Sequence, residues 1–203
     1  MGLFGKIKSA KTIWRELAPQ LDAEFVDRGL FKTSYIMKKF EVWRIYMNYF
    51  SSKDNSYTRV LAPYIATREF KFDIHHKNIL SALGKILGAQ DIEIGDPYFD
   101  REYIVKSNDE GLIFSLLGNR KIIELIQKLQ PPMQFILFSK KVKKLYGMKF
   151  PPQTWEIYFQ QSGVITEIER MKLIIEIFKE TLMQLYKIGI AEKQSPYENF
   201  ERY

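Results

Sequence analysis

Between Gly84 and Leu129 the chain carries its densest set of folding signals, and together they allow few architectures. Ile92 and Ile94 alternate with Asp91 and Glu93, the period of a half-buried strand. Gly95-Asp96-Pro97 interrupts the run, and Tyr98 to Lys106 resumes an extended pattern rich in aromatic and β-branched residues. Ser107 and Glu110 have the spacing of a reciprocal cap, in which two side chains satisfy amide donors that a helix start leaves unpaired. Leu112, Ile113, Leu116 and Leu117 supply one apolar helix face. Gly118-Asn119 then offers a stop before Lys121 to Leu129 resumes helically. Strands and helices in separate blocks point to the α+β class.

The flanking sequence extends that reading. Residues 32 to 50 read as one strand, with Trp43, Ile45, Met47 and Tyr49 on one face and Val42, Arg44, Tyr46 and Asn48 on the other. The cluster SSKDNS at 51–56 is a turn, and Tyr57 to Tyr64 is a returning strand in which Pro63 argues against a central position. Phe70, Phe72 and Ile74 alternate with Lys71 and Asp73 as a half-exposed strand, and a short helix is expected over about 78–87. Residues 133–139 form an apolar run after Pro131-Pro132, and a strand is expected over 154–161, ending in a turn at Gln161-Ser162-Gly163. Thr166 and Glu169 repeat the capping spacing at the head of a helix that runs to about Ile188 and stops at Gly189. Its apolar residues cover about half the circumference, a face wide enough to meet a sheet and another helix together.

Asp96-Pro97, Phe99-Asp100-Arg101, Tyr103, Val105, Ser107 and Asp109 carry a family resemblance. They are similar to a D-P-x-F-[D/E]-[R/K]-x-F-x-V-x-S-x-D signature found in a group of uncharacterised bacterial proteins, a domain of unknown function in which an apolar helix also follows. The resemblance implies no activity and no catalytic residue. Many members of that group carry membrane-spanning helices upstream of the motif, and these 203 residues contain no such segment. Physically the signature reads as a turn, a half-buried strand and a helix cap.

Residues 3 to 21 are the second informative stretch. Leu3, Phe4, Ile7, Ala10, Trp14, Leu17, Ala18 and Leu21 fall within a sector ~140° wide on a helical wheel. Lys6 flanks that sector on one side, and Lys8, Lys11 and Arg15 lie along the other. Basic residues beside an apolar stripe can snorkel to lipid headgroups, so the stretch has the pattern of a helix lying in a membrane surface. The competing reading is a helix docked on its own domain or on a partner. Gly2 follows Met1, but Lys6 stands where N-myristoylation wants Ser or Thr. No run approaches the ~18 apolar residues of a membrane span, and no secretory signal pattern precedes the domain.

Candidate chemistry is sparse. His75 and His76 are the only histidines, and neighbours on a strand point to opposite faces, so they cannot share one metal. With no cysteine, thiolate sites and disulfides are excluded. Asp91, Glu93, Asp96, Asp100 and Glu102 form an acidic cluster that a solvated strand face explains without a cation. The net charge is +7, and its densest basic run places Lys140, Lys141, Lys143, Lys144 and Lys149 beside Phe138, Tyr146 and Phe150. Such lysines can contact phosphates while aromatics stack.

The expected architecture is α+β. A mostly antiparallel sheet of about seven strands in meander order is accompanied by an N-terminal amphipathic helix, a central helical pair and a long C-terminal helix. Residues 1–21 form the amphipathic helix, 22–190 a single α+β domain and 191–203 a polar, aromatic tail. The expected function is a non-enzymatic interaction domain at the cytoplasmic membrane surface or within an assembly, with no catalytic residue, metal site or cofactor. Leu3, Phe4, Lys6, Ile7, Lys8, Lys11, Trp14, Arg15 and Leu17 would contact an anionic membrane or a protein partner. The alternatives are an enzyme or small-ligand binder with a dispersed pocket, and a nucleic-acid binder acting through the lysine run at 140–149. Self-association is compatible with either.

Overall fold

The computed structural model describes residues 9–29, 32–51, 53, 55–77, 90–129 and 135–197. The helix expected over about 78–87 lies outside them. Four strands form a meander: β1 (Glu24–Val26), β2 (Tyr35–Phe40), β3 (Trp43–Ser51) and β4 (Ser56–Ile65). Beyond β4 the order leaves the sequence. β5 (Phe72–His76), β6 (Tyr103–Ser107), β7 (Phe135–Lys141) and β10 (Thr154–Ser162) complete an eight-stranded sheet ordered β1-β2-β3-β4-β10-β7-β5-β6. Every neighbouring pair is antiparallel. The full meander is therefore corrected, because β10 inserts between β4 and β7.

One face of this sheet holds the main core. Ile36, Ile45, Met47, Val60, Tyr64, Ile74, Val105, Leu137, Ile157 and Phe159 are buried there. They share a cluster with residues of α1 (Ala10–Leu17), α3 (Glu110–Leu117), α4 (Arg120–Lys128) and α5 (Ile168–Lys187). The wide apolar face of α5 buries Met171, Ile174, Ile175, Ile177, Phe178, Leu182 and Leu185, and the helix packs against α3 and α4. The opposite sheet face carries a smaller cluster beneath a two-stranded hairpin, β8 (Lys144–Leu145) and β9 (Met148–Lys149).

Several expectations are overturned for local reasons. Residues 32–50 form two strands, because Glu41 adopts a left-handed φ of 51° and turns the chain between Phe40 and Trp43. No glycine or asparagine marks that turn. β4 is central despite Pro63; its ladder with β3 ends at Tyr46–Leu61, so Pro63 has a strand neighbour only on the β10 side. Residues 91–94 are extended without forming a strand, tied to β6 through the Ile92 amide and the Val105 carbonyl at 2.8 Å. Tyr98 to Glu102 belong to a helix, α2 (Pro97–Glu102). Pro97 fits its first position, and the Asp96 carboxylate accepts from the Tyr98 and Phe99 amides.

The caps also move. Ser107 ends β6, and Asp109 caps α3 by accepting from Leu112 N–H at 2.9 Å. Ser107 Oγ instead bridges the Lys71 carbonyl and the Asp109 amide. Thr166 does not cap α5, whose N-cap position is Glu167 with no side-chain bond to the helix. Asp73 is buried at 1% exposure rather than half-exposed, because both faces of β5 are covered. In the polar, aromatic segment from residue 191, Ala191 bridges Ala66, and Tyr197 is buried against Tyr46 and Phe150.

Candidate functional site

The first candidate surface is the N-terminal helix. Ser9 is extended and caps it by accepting from Thr12 N–H, so α1 begins at Ala10. Trp14 is fully buried; its Nε1 donates to the Ile165 carbonyl at 2.9 Å, and its ring meets Tyr49 at 5.0 Å. Leu17, Ala18 and Leu21 are buried beside it. These residues therefore pack on the domain itself and do not present an outward apolar stripe. Lys11 and Arg15 both reach Asp27, at 2.7 and 2.6 Å, and Arg15 also covers Phe25. The Lys11 hydrogen bond and the Gly29 amide hold the Asp27 carboxyl down at about 2. Leu3, Phe4, Lys6, Ile7 and Lys8 lie outside the described residues.

The second candidate is the lysine run. Lys140 lies 3.3 Å from Glu156 and 4.2 Å from the centre of the Tyr158 ring, so it is already committed to a carboxylate and an aromatic face. Lys144 stands directly opposite Lys149 across the β8–β9 hairpin. Lys143 lends its carbonyl to Phe150 N–H, and Lys141 pairs with Trp155 across the sheet. The run is thus divided between a sheet strand and a hairpin.

Beneath that hairpin lies a polar and aromatic patch. Asn48 is buried, donates from its amide nitrogen to the Tyr146 hydroxyl and accepts from Arg59 Nε at 3.0 Å. Tyr146 stacks on Tyr35, and Arg44 covers the Tyr197 ring at 4.4 Å. Burial pushes the Tyr146 phenol up to about 12. Glu156, on the same sheet face, is 3% exposed, and its Oε2 has no hydrogen-bond partner among the described residues. Burial raises its carboxyl above the usual glutamate value, against the pull of Lys140. Sequence periodicity placed Tyr46 and Asn48 on one strand face, but the contacts with Tyr146 and Tyr197 join residues about 100 and about 150 positions apart and left no local signal.

The histidines take separate partners on opposite faces of β5. His75 Nδ1 lies 3.1 Å from the buried Asp73 carboxylate, and His76 lies 3.6 Å from Glu102. The acidic cluster disperses in the same way. Asp91 pairs with Lys106, Asp96 caps α2, and Asp100 accepts from the amides of Ile94 and Gly95. Among the described residues no three His, Asp or Glu side chains are grouped to hold a metal, and no helix is long and apolar enough to cross a membrane.

The chain thus defines a class: an α+β protein with an eight-stranded antiparallel sheet, helices on one face and a small hairpin on the other. Among solved structures it is similar in fold to the crystal structure of the mycobacterial trehalose monomycolate transport factor A, TtfA. The TM-score is 0.53 and the identity 9%, with 92% of this chain and 97% of that chain covered. No protein-family model and no curated protein sequence matches the chain.

Proposed function

We propose that this chain is a non-enzymatic domain that works at a membrane surface, its folded body held there by residues 3–8. The carrying observation is the division of the N-terminal pattern at Ser9. After the cap, Trp14 and Leu17 are consumed by the core. Before it, Leu3, Phe4 and Ile7 with Lys6 and Lys8 continue the same apolar and basic pattern. The fold shared with a trehalose monomycolate transport factor adds support from a protein named for transport. Inserting three apolar side chains could supply about 1.5–3 kcal/mol each, and each nearby lysine about 1 kcal/mol on an anionic leaflet. Ordering the segment offsets part of this, so the binding is reversible and weakens with salt.

Co-sedimentation of the full chain with neutral and anionic vesicles tests the reading. Binding to anionic vesicles at low salt is expected, with loss in a Leu3→Asp/Phe4→Asp variant whose melting temperature is unchanged. Equal sedimentation of the variant, or none of the parent chain, would overturn it.

A further inference from the structure

We infer that the cleft between α1, the β1–β2 connection and the far end of β3 binds the phosphate of a phosphomonoester. The cleft has a volume of about 300 Å³ and is lined by Lys11, Lys32, Thr33, Ser34, Tyr49, Phe50 and Ser51, with Gly29 at its margin. Two lysines and four hydroxyl-bearing residues, Thr33, Ser34, Tyr49 and Ser51, line it, and no carboxylate is among its described lining residues. This is the donor chemistry that a phosphate dianion needs.

Its positive charge is only partly compensated among the described residues. Asp27 is the neighbouring acid, and it is divided between Lys11 and Arg15. Lys32 forms no ion pair among the described residues. Among the described residues Lys11, Arg15 and Lys32 therefore stand around the single Asp27 carboxylate, a positive balance that favours an anion. Asp27 also orders the rim, accepting from Gly29 N–H at 3.0 Å and from the Ser34 hydroxyl at 3.3 Å. Because α1 is anchored through Trp14, Lys11 is carried on a fixed support.

On the other side Tyr49, half-buried against Trp14, offers an aromatic ring, while Phe50, its neighbour on β3, turns to the other sheet face and stacks on Tyr57. A phosphate attached to an organic group can use the Tyr49 ring, whereas an inorganic ion uses only the polar side. The site favours a phosphomonoester on these grounds, either soluble or at the headgroup of a lipid. It rests on the cleft alone and does not require residues 3–8 to bind a membrane.

The test is calorimetric titration of the full chain with inorganic phosphate and with glycerol 3-phosphate, at matched ionic strength in chloride buffer. Saturable binding is expected. Lys32→Glu should weaken it by about tenfold or more at an unchanged melting temperature, the loss of a charge-assisted contact. Lys149→Glu, in the hairpin, should leave it unaltered. No saturable heat, equal binding by Lys32→Glu, or loss in Lys149→Glu instead would each overturn the inference.

Vesicles of phosphatidylcholine with and without phosphatidic acid identify the source. A phosphatidic acid dependence that Lys32→Glu abolishes marks a lipid headgroup. Glycerol 3-phosphate binding that Lys32→Glu abolishes, without that vesicle dependence, marks a soluble ligand. Either result sustains the cleft. Vesicle binding lost only in Leu3→Asp/Phe4→Asp, with no phosphate binding by the parent chain, would sustain the membrane reading and overturn this one.

Discussion

Removing the Trp14 side chain tests whether α1 belongs to the folded body. The indole is fully buried among Tyr49 and the main core, and its Nε1 is bonded to the Ile165 carbonyl. An aromatic side chain of this kind buries roughly 150–250 Å², which at about 25 cal/mol per Å² is about 4–6 kcal/mol as an upper bound. Measured truncations of buried Phe or Trp to Ala cost about 3–5 kcal/mol. Trp14→Ala should fall in that range and lower the melting temperature by on the order of 10 °C for a chain of this length. Trp14→Phe separates the hydrogen bond from the bulk, keeping most of the ring but leaving the Ile165 carbonyl short of a donor, at about 1–3 kcal/mol. Urea denaturation followed by circular dichroism reads both. If Trp14→Ala stays within about 1 kcal/mol of the parent chain, α1 is not docked, and the stripe is free for lipid after all.

Two further outcomes follow from the caps and the buried carboxylate. Asp109→Ala should cost about 0.5–2 kcal/mol in urea by removing the α3 cap, and Asp109→Asn should restore most of it; no loss in the alanine variant would refute the cap. Glu156, raised by burial, binds its proton more tightly in the folded chain than in the unfolded one. Stability then falls as pH rises from the ordinary glutamate value of 4.5 through the raised one, and Glu156→Gln should gain on the parent chain over that window. A constant difference across pH would show that the carboxyl is not perturbed.

Much of the fold was readable because it follows period and composition. The buried alternation of Trp155, Ile157 and Phe159 and the wide face of α5 both matched their sequence patterns. So did the helical pair divided at Gly118-Asn119. What failed was decided by single residues in competition with neighbours. Glu41 turns a strand without any turn-favouring chemistry, and Asp109 outcompetes Ser107 because Ser107 is held by the Lys71 carbonyl. The candidate surfaces were harder still. An amphipathic stripe has the same pattern whether it meets lipid or its own sheet, and only the Ile165 carbonyl and the Tyr49 ring distinguish the two. The cleft at Lys32 and Ser51 joins residues from separate segments, so no spacing in the chain announced it.

The place of β10 in the strand order bears on how the protein can be made. It pairs with β4 along Thr154–Ser162 and with β7 along Trp155–Gln161, and it is the strand that joins the N-terminal meander to the group formed by β7, β5 and β6. During synthesis the meander emerges first with β4 as an open edge, carrying Val60, Ala62 and Tyr64 toward a core that is not yet present. That edge stays open while residues 66–153, nearly half of the 203, leave the ribosome. An unpaired apolar edge of this length is the kind of template that recruits other chains. The nascent protein therefore depends on its own late strand, or on a chaperone holding that edge, for a far longer part of its synthesis than a simple meander would.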